Sequence, residues 1–183
     1  MQPTLVELAI TGDEEAFTSL MLVAGDRLLA IAFRILRDVG RAEDAVQVAW
    51  VSAWRDLPSL REPLLFEAWL TKLLVRACYG EARRNRRWSA NLRELPLEGP
   101  AGRDTTLAVG DRDQLDRAFR RLTAEQRAIF VLHHYAGWSQ VELAANLDLP
   151  IGTVKSRLHY ATQTLRAAID ADGRTRTTAE QFA

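Results

Sequence analysis

The 183-residue chain reads as an all-α protein: two small helical domains joined by a flexible acidic linker. Three observations predict this. Apolar residues recur at intervals of three, four and seven through most of the sequence, the spacing that gathers them on one side of an α-helix. No run alternates apolar and polar residues as a half-buried strand would. Between Leu95 and Gly110 the stretch "LPLEGPAGRDTTLAVG" holds two prolines, three glycines and no periodic stripe, the composition of a linker. The expected boundaries are a domain over residues 1–93, a linker over 94–111, a second domain over 112–171 and a frayed tail over 172–183.

Composition sets outer limits. The chain is 48% apolar and 26% charged, ordinary for a soluble globular protein. Its one cysteine, Cys78, permits no internal disulfide and suits a reducing compartment. Cys78 falls beside an apolar stripe and reads as a small core residue, not a nucleophile. The opening "MQPTLVELAITGDEEAF" has neither the basic leader nor the apolar core of a secretory signal. No apolar run approaches the ~20 residues of a membrane span. The expectation is a cytoplasmic protein with no membrane partner.

Net charge is zero, but it is segregated. Residues 1–75 hold 11 acids and 7 bases, residues 76–93 six arginines and one glutamate, residues 94–116 six acids and two arginines, and residues 117–170 seven bases and four acids. Two basic surfaces and two acidic ones suit a protein that meets a polyanion and a basic protein together. Chance patchiness on a helical surface is the plainer account.

In chain order, "AFTSLMLVAGDRLLAIAFRILRD" predicts one or two helices. Ala42, Ala45, Val46, Ala49, Trp50, Ala53, Trp54 and Leu57 then form one buried stripe. Pro58 and Pro63 break it, since no continuous helix tolerates them. Phe66, Trp69, Leu70, Leu73, Leu74 and Ala77 form the next. Opposite the first stripe lie Glu43, Asp44, Gln47, Val48, Val51 and Arg55. An acidic face with two outward valines exceeds what solvation needs and suits docking to a protein, although an ordinary exposed face has the same residue types. The second helix ends in Arg83, Arg84, Arg86 and Arg87, followed by Trp88. Arginines neutralise phosphates and an aromatic ring stacks on unpaired bases; a solvated basic helix end is the bland reading.

In the second domain, Thr123-Ala-Glu-Gln126 and Ser139-Gln-Val-Glu142 fit the capping box, in which a hydroxyl and a Glu or Gln three residues on satisfy each other's orphan amides. Each predicts a short helix, and Gly137 separates them. Leu147-Asp148-Leu149-Pro150 supplies a tight turn into a third helix, the helix-turn-helix arrangement. On that helix Val154, Leu158, Ala161 and Leu165 face inward. Gly152, Lys155, Ser156 and His159 share an outward face near its start, the end that enters a major groove, with Thr153 placed to cap or touch phosphate. His133 and His134 lack the cysteine or acid partners of a metal site. No glycine-rich phosphate loop or Ser/His/Asp arrangement is present, so neither a cofactor nor an enzyme activity is expected.

"LTAEQRAIFVLHHYAGWSQVELAANLDLPIGTVKSRLHYA" resembles the promoter-reading domain of bacterial sigma factors of the sigma-70 family, in the small extracytoplasmic-function group. The helix-turn-helix of response regulators carries a similar "GTVK" helix. "RILRDVGRAEDAVQVAWVSAWRDL", through Ala42, Glu43, Asp44, Gln47 and Trp54, resembles the helix by which this group docks on the polymerase. "FEAWLTKLLVRACYGEARRNRR" resembles the next helix, which grips and opens the minus-ten element. The resemblance implies that Glu43, Asp44, Gln47, Val48 and Val51 meet a basic coiled coil of the polymerase β′ subunit. It implies minus-ten contacts from Arg61 and Glu62 in the loop 58–65, and from Lys72, Arg76, Arg83, Arg84, Arg86 and Arg87. It assigns the minus-thirty-five element to Gly152, Thr153, Lys155, Ser156, Arg157, His159, Tyr160 and His133. Arg76, Gly80, Tyr160 and Gln163 depart from the residues usual in the family. The implied partners are core RNA polymerase (β′ and β), promoter DNA and an anti-sigma factor, with a monomer in the free state. By analogy the acidic linker runs through the RNA exit path. The alternatives are a stand-alone helix-turn-helix regulator, which needs a two-fold interface to match a palindromic site, and a protein-interaction module.

Overall fold

The computed structural model describes residues 3–93 and 110–180, with side chains over 4–88 and 116–170. The linker expected over 94–111 lies outside the described residues except for its last two positions. The helices are α1 (Pro3–Ile10), α2 (Glu14–Leu36), α3 (Val39–Asp56), α4 (Phe66–Arg93), α5 (Gly110–Arg121), α6 (Ala124–His134), α7 (Gln140–Leu147) and α8 (Ile151–Glu180). No strand occurs among the described residues.

Local chemistry sets most of these limits. The Asp13 carboxylate accepts from the Ala16 amide at 2.9 Å and starts α2, with Glu14 and Glu15 in its first turn favoured by the helix dipole. Arg37 ends α2 in the left-handed region at φ 60°, and Asp38 caps α3 through the Arg41 amide at 2.9 Å. Pro58 and Pro63 fall in two 3-10 turns, Leu57–Ser59 and Pro63–Leu65, between α3 and α4. The stretch that predicts one or two helices is the single α2. The short α1 has no counterpart in the sequence reading; it contributes Val6 and Ala9 to the core, too few positions to show a period. α8 runs on through Glu180, beyond residue 171 where the sequence sets the end of the domain. Nothing in 172–180 forbids helix, since Gly173 costs about 1 kcal/mol and no proline occurs there.

α3 packs on α2 and α4. Ala42, Ala45, Ala49 and Ala53 are fully buried, and small residues at a crossing let helix axes approach closely. Trp50 is buried, but Trp54, expected in the core, is 44% exposed. It rests edge-on against Phe17 at 4.8 Å between ring centroids. By length and composition α2 is apolar enough to cross a membrane, with a mean hydropathy of 1.6, against the expectation that no run would be. Here nine of its residues, from Ala16 to Leu36, lie in the core.

In the second half, Ile129, Leu132, Leu143, Val154 and Leu158 pack together, while Ala118, Leu122, Ala161 and Leu165 join α5 to α8. The two halves do not stand apart. α6 packs on α2 and α4, and α7 on α4, so that one hydrophobic core runs from Val6 to Leu158.

Candidate nucleic-acid and protein-docking faces

Both capping boxes form. Thr123 and Gln126 exchange backbone-to-side-chain bonds at 2.8 and 3.2 Å, and Ser139 and Glu142 do so at 2.7 and 3.2 Å. Gly137 takes φ 77° between α6 and α7. Asp148 ends α7 at φ 54° in the left-handed region, its amide bonded to the Ala144 carbonyl. The Pro150 carbonyl accepts from Thr153 and Val154 and opens α8. Val154, Leu158, Ala161 and Leu165 are all buried. That orientation leaves Gly152, Lys155, Ser156, His159 and Tyr160 exposed on one side. A Cβ at Gly152 would meet open space, so the fold itself does not require glycine there. Thr153 is half-buried, and its carbonyl accepts the Ser156 hydroxyl at 3.1 Å.

Two residues of this set stand elsewhere. Arg157 is half-buried, close enough to Tyr79 of α4 and Glu125 of α6 to act on both electrostatically. His133 sits at the end of α6, its Nδ1 2.7 Å from the Trp138 carbonyl. A carbonyl only accepts, so Nδ1 carries the proton and Nε2 is the free edge of the ring.

On α4 the exposed Arg83, Arg84, Arg86 and Arg87 lead to Trp88, 67% exposed. Arg84 is held by the buried Glu81, and Arg86 lies 3.7 Å from Glu125. Arg83 and Arg87 have no ion-pair partner among the described residues. Earlier on the same helix, Lys72 and Arg76 both reach Asp148 of the helix-turn-helix turn, at 2.8 and 3.4 Å. The Lys72 ammonium, bonded to Asp148, holds that carboxyl below its ordinary value, with Arg76 assisting. Arg61 and Glu62 are exposed between the two 3-10 turns. The second of those turns borders a cavity that Arg27 and Trp138 also line.

The acidic face of α3 has an apolar floor not legible as such in the sequence. Glu43, Gln47 and Val51 edge an apolar groove of about 590 Å³ between α2 and α3, floored by Phe17, Met21 and Trp50. Asp44 and Val48 are exposed on the same helix, and Val48 borders the neighbouring groove toward Arg76. Met21 and Trp54, both partly exposed, line the groove between α2 and α3. Contiguous exposed apolar area of this kind marks an interaction surface. Cys78 is buried, and burial pushes its thiol up to about 12, which makes it an inert core residue.

The seam between the halves is polar at its edge. Arg127 of α6 donates to the Ile35 carbonyl at the end of α2, Arg37 pairs with Asp116 of α5, and the Arg34 guanidinium lies 3.9 Å over the Tyr135 ring.

Fold and faces together define a two-domain helical protein with a helix-turn-helix in its second half. Its sequence matches the family described as sigma-70 region 2 over residues 23–88 and as sigma-70, region 4 over residues 112–165. The ECF RNA polymerase sigma factor SigL of Mycobacterium tuberculosis is 31% identical over 175 residues, covering 91% of this chain and 98% of SigL. SigM of the same species is 34% identical over 155 residues, covering 84% and 76%. Among solved structures, CnrH in complex with the cytosolic domain of CnrY superposes with a TM-score of 0.65 at 26% identity, over 93% of this chain and 97% of that one. The sigma factor RpoE in complex with the anti-sigma factor NepR from Bartonella quintana gives 0.66 at 27% identity, over 85% and 98%. The chain belongs to the sigma-70 family, in its extracytoplasmic-function group.

Proposed function

We propose that the chain acts in the cytoplasm as a dissociable specificity subunit of bacterial RNA polymerase, directing initiation at promoters with minus-ten and minus-thirty-five elements. The observation that carries this reading is the pairing, in one chain, of a region 2 segment bearing an acidic-rimmed apolar groove with a region 4 helix-turn-helix. A stand-alone regulator of the response-regulator type shares only the second part. Residues 1–93 form the docking and minus-ten domain and residues 112–171 the minus-thirty-five domain, with 94–111 as linker. Glu43, Asp44, Gln47, Val48 and Val51, with the groove beside them, receive a basic coiled coil of β′. Lys155, Ser156 and His159 read the upstream element, helped by Gly152 and Thr153. Arg83 and Arg87 meet minus-ten phosphates, and the loop with Arg61 and Glu62 borders the place for an unpaired base. The chain contributes no catalytic group; bond formation belongs to the polymerase. An anti-sigma factor that covers the groove fits the same reading.

The packed arrangement does not touch both elements at once. A compact chain of this length has a radius of gyration of about 16 Å. The ~25 base pairs that separate the two element centres span about 85 Å, roughly two and a half turns of B-DNA. Promoter binding by both halves therefore requires the seam between them to open, freeing Lys72 and Arg76 from Asp148.

The test is reconstitution of the full chain with bacterial core polymerase on genomic fragments. A discrete transcript that needs both components is the expected result. Tight binding of duplex DNA by the chain alone, with no change in what the polymerase transcribes, would replace this reading with the stand-alone regulator.

A further inference from the structure

A second cavity lies in the seam, away from the groove and from the outward face of α8. It holds about 280 Å³ and is lined by Arg41 of α3, Arg86 and Asn85 of α4, Arg120 and Arg121 of α5, and Arg127 of α6. Five arginines line it, and among the described residues no carboxylate does. The acids nearby counter them weakly. Asp38 stands 3.9 Å from Arg41, Glu125 stands 3.7 Å from Arg86, and Arg120 and Arg121 have no ion-pair partner among the described residues. Arg127 gives its Nε and Nη1 protons to the neutral carbonyls of Ile35, Phe119 and Leu122. No carboxylate among the described residues pairs with it directly, and Glu125 offsets its charge only in part. Burial, with the like charge of Arg37 adding to it, draws Arg127 below its ordinary value. Like charges crowded at a half-enclosed seam repel unless an anion joins them.

The shape and the donors narrow the choice of anion. A guanidinium presents a planar fork that binds phosphate oxygens in pairs. Five such groups exceed what one carboxylate can neutralise. The volume falls just under the range of drug-sized pockets, ~300–1,000 Å³, and a duplex cannot enter it. We propose that this cavity is a binding site for a small polyphosphate, a chain of two or three phosphoryl groups, free or carried by a nucleotide. Arg41 and Arg86 belong to the first half of the chain, Arg120, Arg121 and Arg127 to the second. A ligand held between them binds only the packed arrangement and stabilises it by linkage. The site is thus a brake on opening, independent of which promoters the chain reads.

The experiment titrates the full-length protein with inorganic tripolyphosphate and, in parallel, with a nucleoside triphosphate, by calorimetry at constant ionic strength. Small-angle scattering reads compaction. The expected result is saturable 1:1 binding of tripolyphosphate with a shift toward the compact form. Equal affinity for the nucleotide assigns the site to the phosphate chain alone, and tighter binding adds a contact to the nucleoside. Arg120→Ala with Arg121→Ala weakens binding at least about tenfold, a loss of ~1.4 kcal/mol. Arg41→Ala, on the opposite wall, does likewise, while Arg166→Ala on the exposed side of α8 leaves it unchanged. Arg120 and Arg121 are exposed, so their removal spares the fold, as circular dichroism checks. Absence of saturable binding overturns the proposal, as does equal weakening in Arg166→Ala or equal displacement by sulfate. A short duplex of arbitrary sequence competing through the same arginines would also overturn it, by giving them to the DNA backbone.

Discussion

Asp148 serves two purposes at once. Its left-handed backbone shapes the turn into α8, and its carboxylate joins that turn to Lys72 and Arg76 of α4. Its carboxyl is depressed in the packed form, so the ion pair contributes at any pH above the ordinary carboxylate range. It is lost only as pH falls through the depressed value. At neutral pH salt, not protons, weakens it. An asparagine in its place would keep the turn, since asparagine tolerates the left-handed region, and remove the charge. Asp148→Asn is therefore expected to expand the free protein in small-angle scattering with its helix content unchanged; identical scattering curves would deny Asp148 a part in holding the seam. On the outward face of α8, Lys155→Ala with His159→Ala should change preference at the upstream element while polymerase affinity stays constant. Loss of polymerase binding would show that the roles are divided wrongly. Several of these side chains are legible from periodicity alone, because the inward set Val154, Leu158, Ala161 and Leu165 fixes the helix rotation. Arg157 and Trp54 are not. A helical wheel gives an angle about an axis, and it does not say which neighbouring element covers that angle. Arg157 is half-buried near Tyr79 and Glu125, while nothing covers Trp54 fully.

At the scale of the element, caps carry the most transferable information. The two capping boxes name their own partners in sequence, and both form. Ser139→Ala leaves the Glu142 amide without its acceptor and should cost about 1 kcal/mol of stability, read by denaturant unfolding at unchanged slope; no shift in midpoint would mean that water replaces the hydroxyl without penalty. The basic end of α4 is equally visible as a run of arginines, but its members are not equivalent. Arg84 and Arg86 already have acids beside them, while Arg83 and Arg87 have none among the described residues. Removing Arg83 and Arg87 should lower the salt slope of promoter binding by up to ~0.9 for each phosphate no longer neutralised. Removing Arg84 and Arg86 should lower it less. A slope untouched by all four takes this helix end out of the DNA interface. The elements that sequence leaves out escape it for physical reasons. α1 has too few turns to display a period, and the end of α8 carries no breaker strong enough to announce itself.

At the scale of the whole molecule, the groove between α2 and α3 and the seam between the halves are hidden from sequence for a common reason. Both are made by residues far apart in the chain, whose meeting depends on how helices stack and not on any local pattern. Phe17 and Met21 meet Gln47 and Val51 around one groove only because the α3 alanines let α2 and α3 lie close. Arg127 meets Ile35 only because α6 lies on α2. The charge map sums acids and bases by segment, and it does not anticipate which individual charges meet across the seam. Here Asp148 meets Lys72 and Arg76, and Asp116 meets Arg37.

That facing of charges carries a consequence for abundance. If the polymerase accepts only the open form, the chain's apparent dissociation constant equals the intrinsic one divided by the open fraction. A molecule open about one part in a hundred would need roughly a hundredfold more copies to fill the same polymerase. The response of transcription to protein level would then be set by the seam as much as by the groove. Cells holding this protein in modest excess would keep a silent reserve, released by whatever loosens a handful of ion pairs.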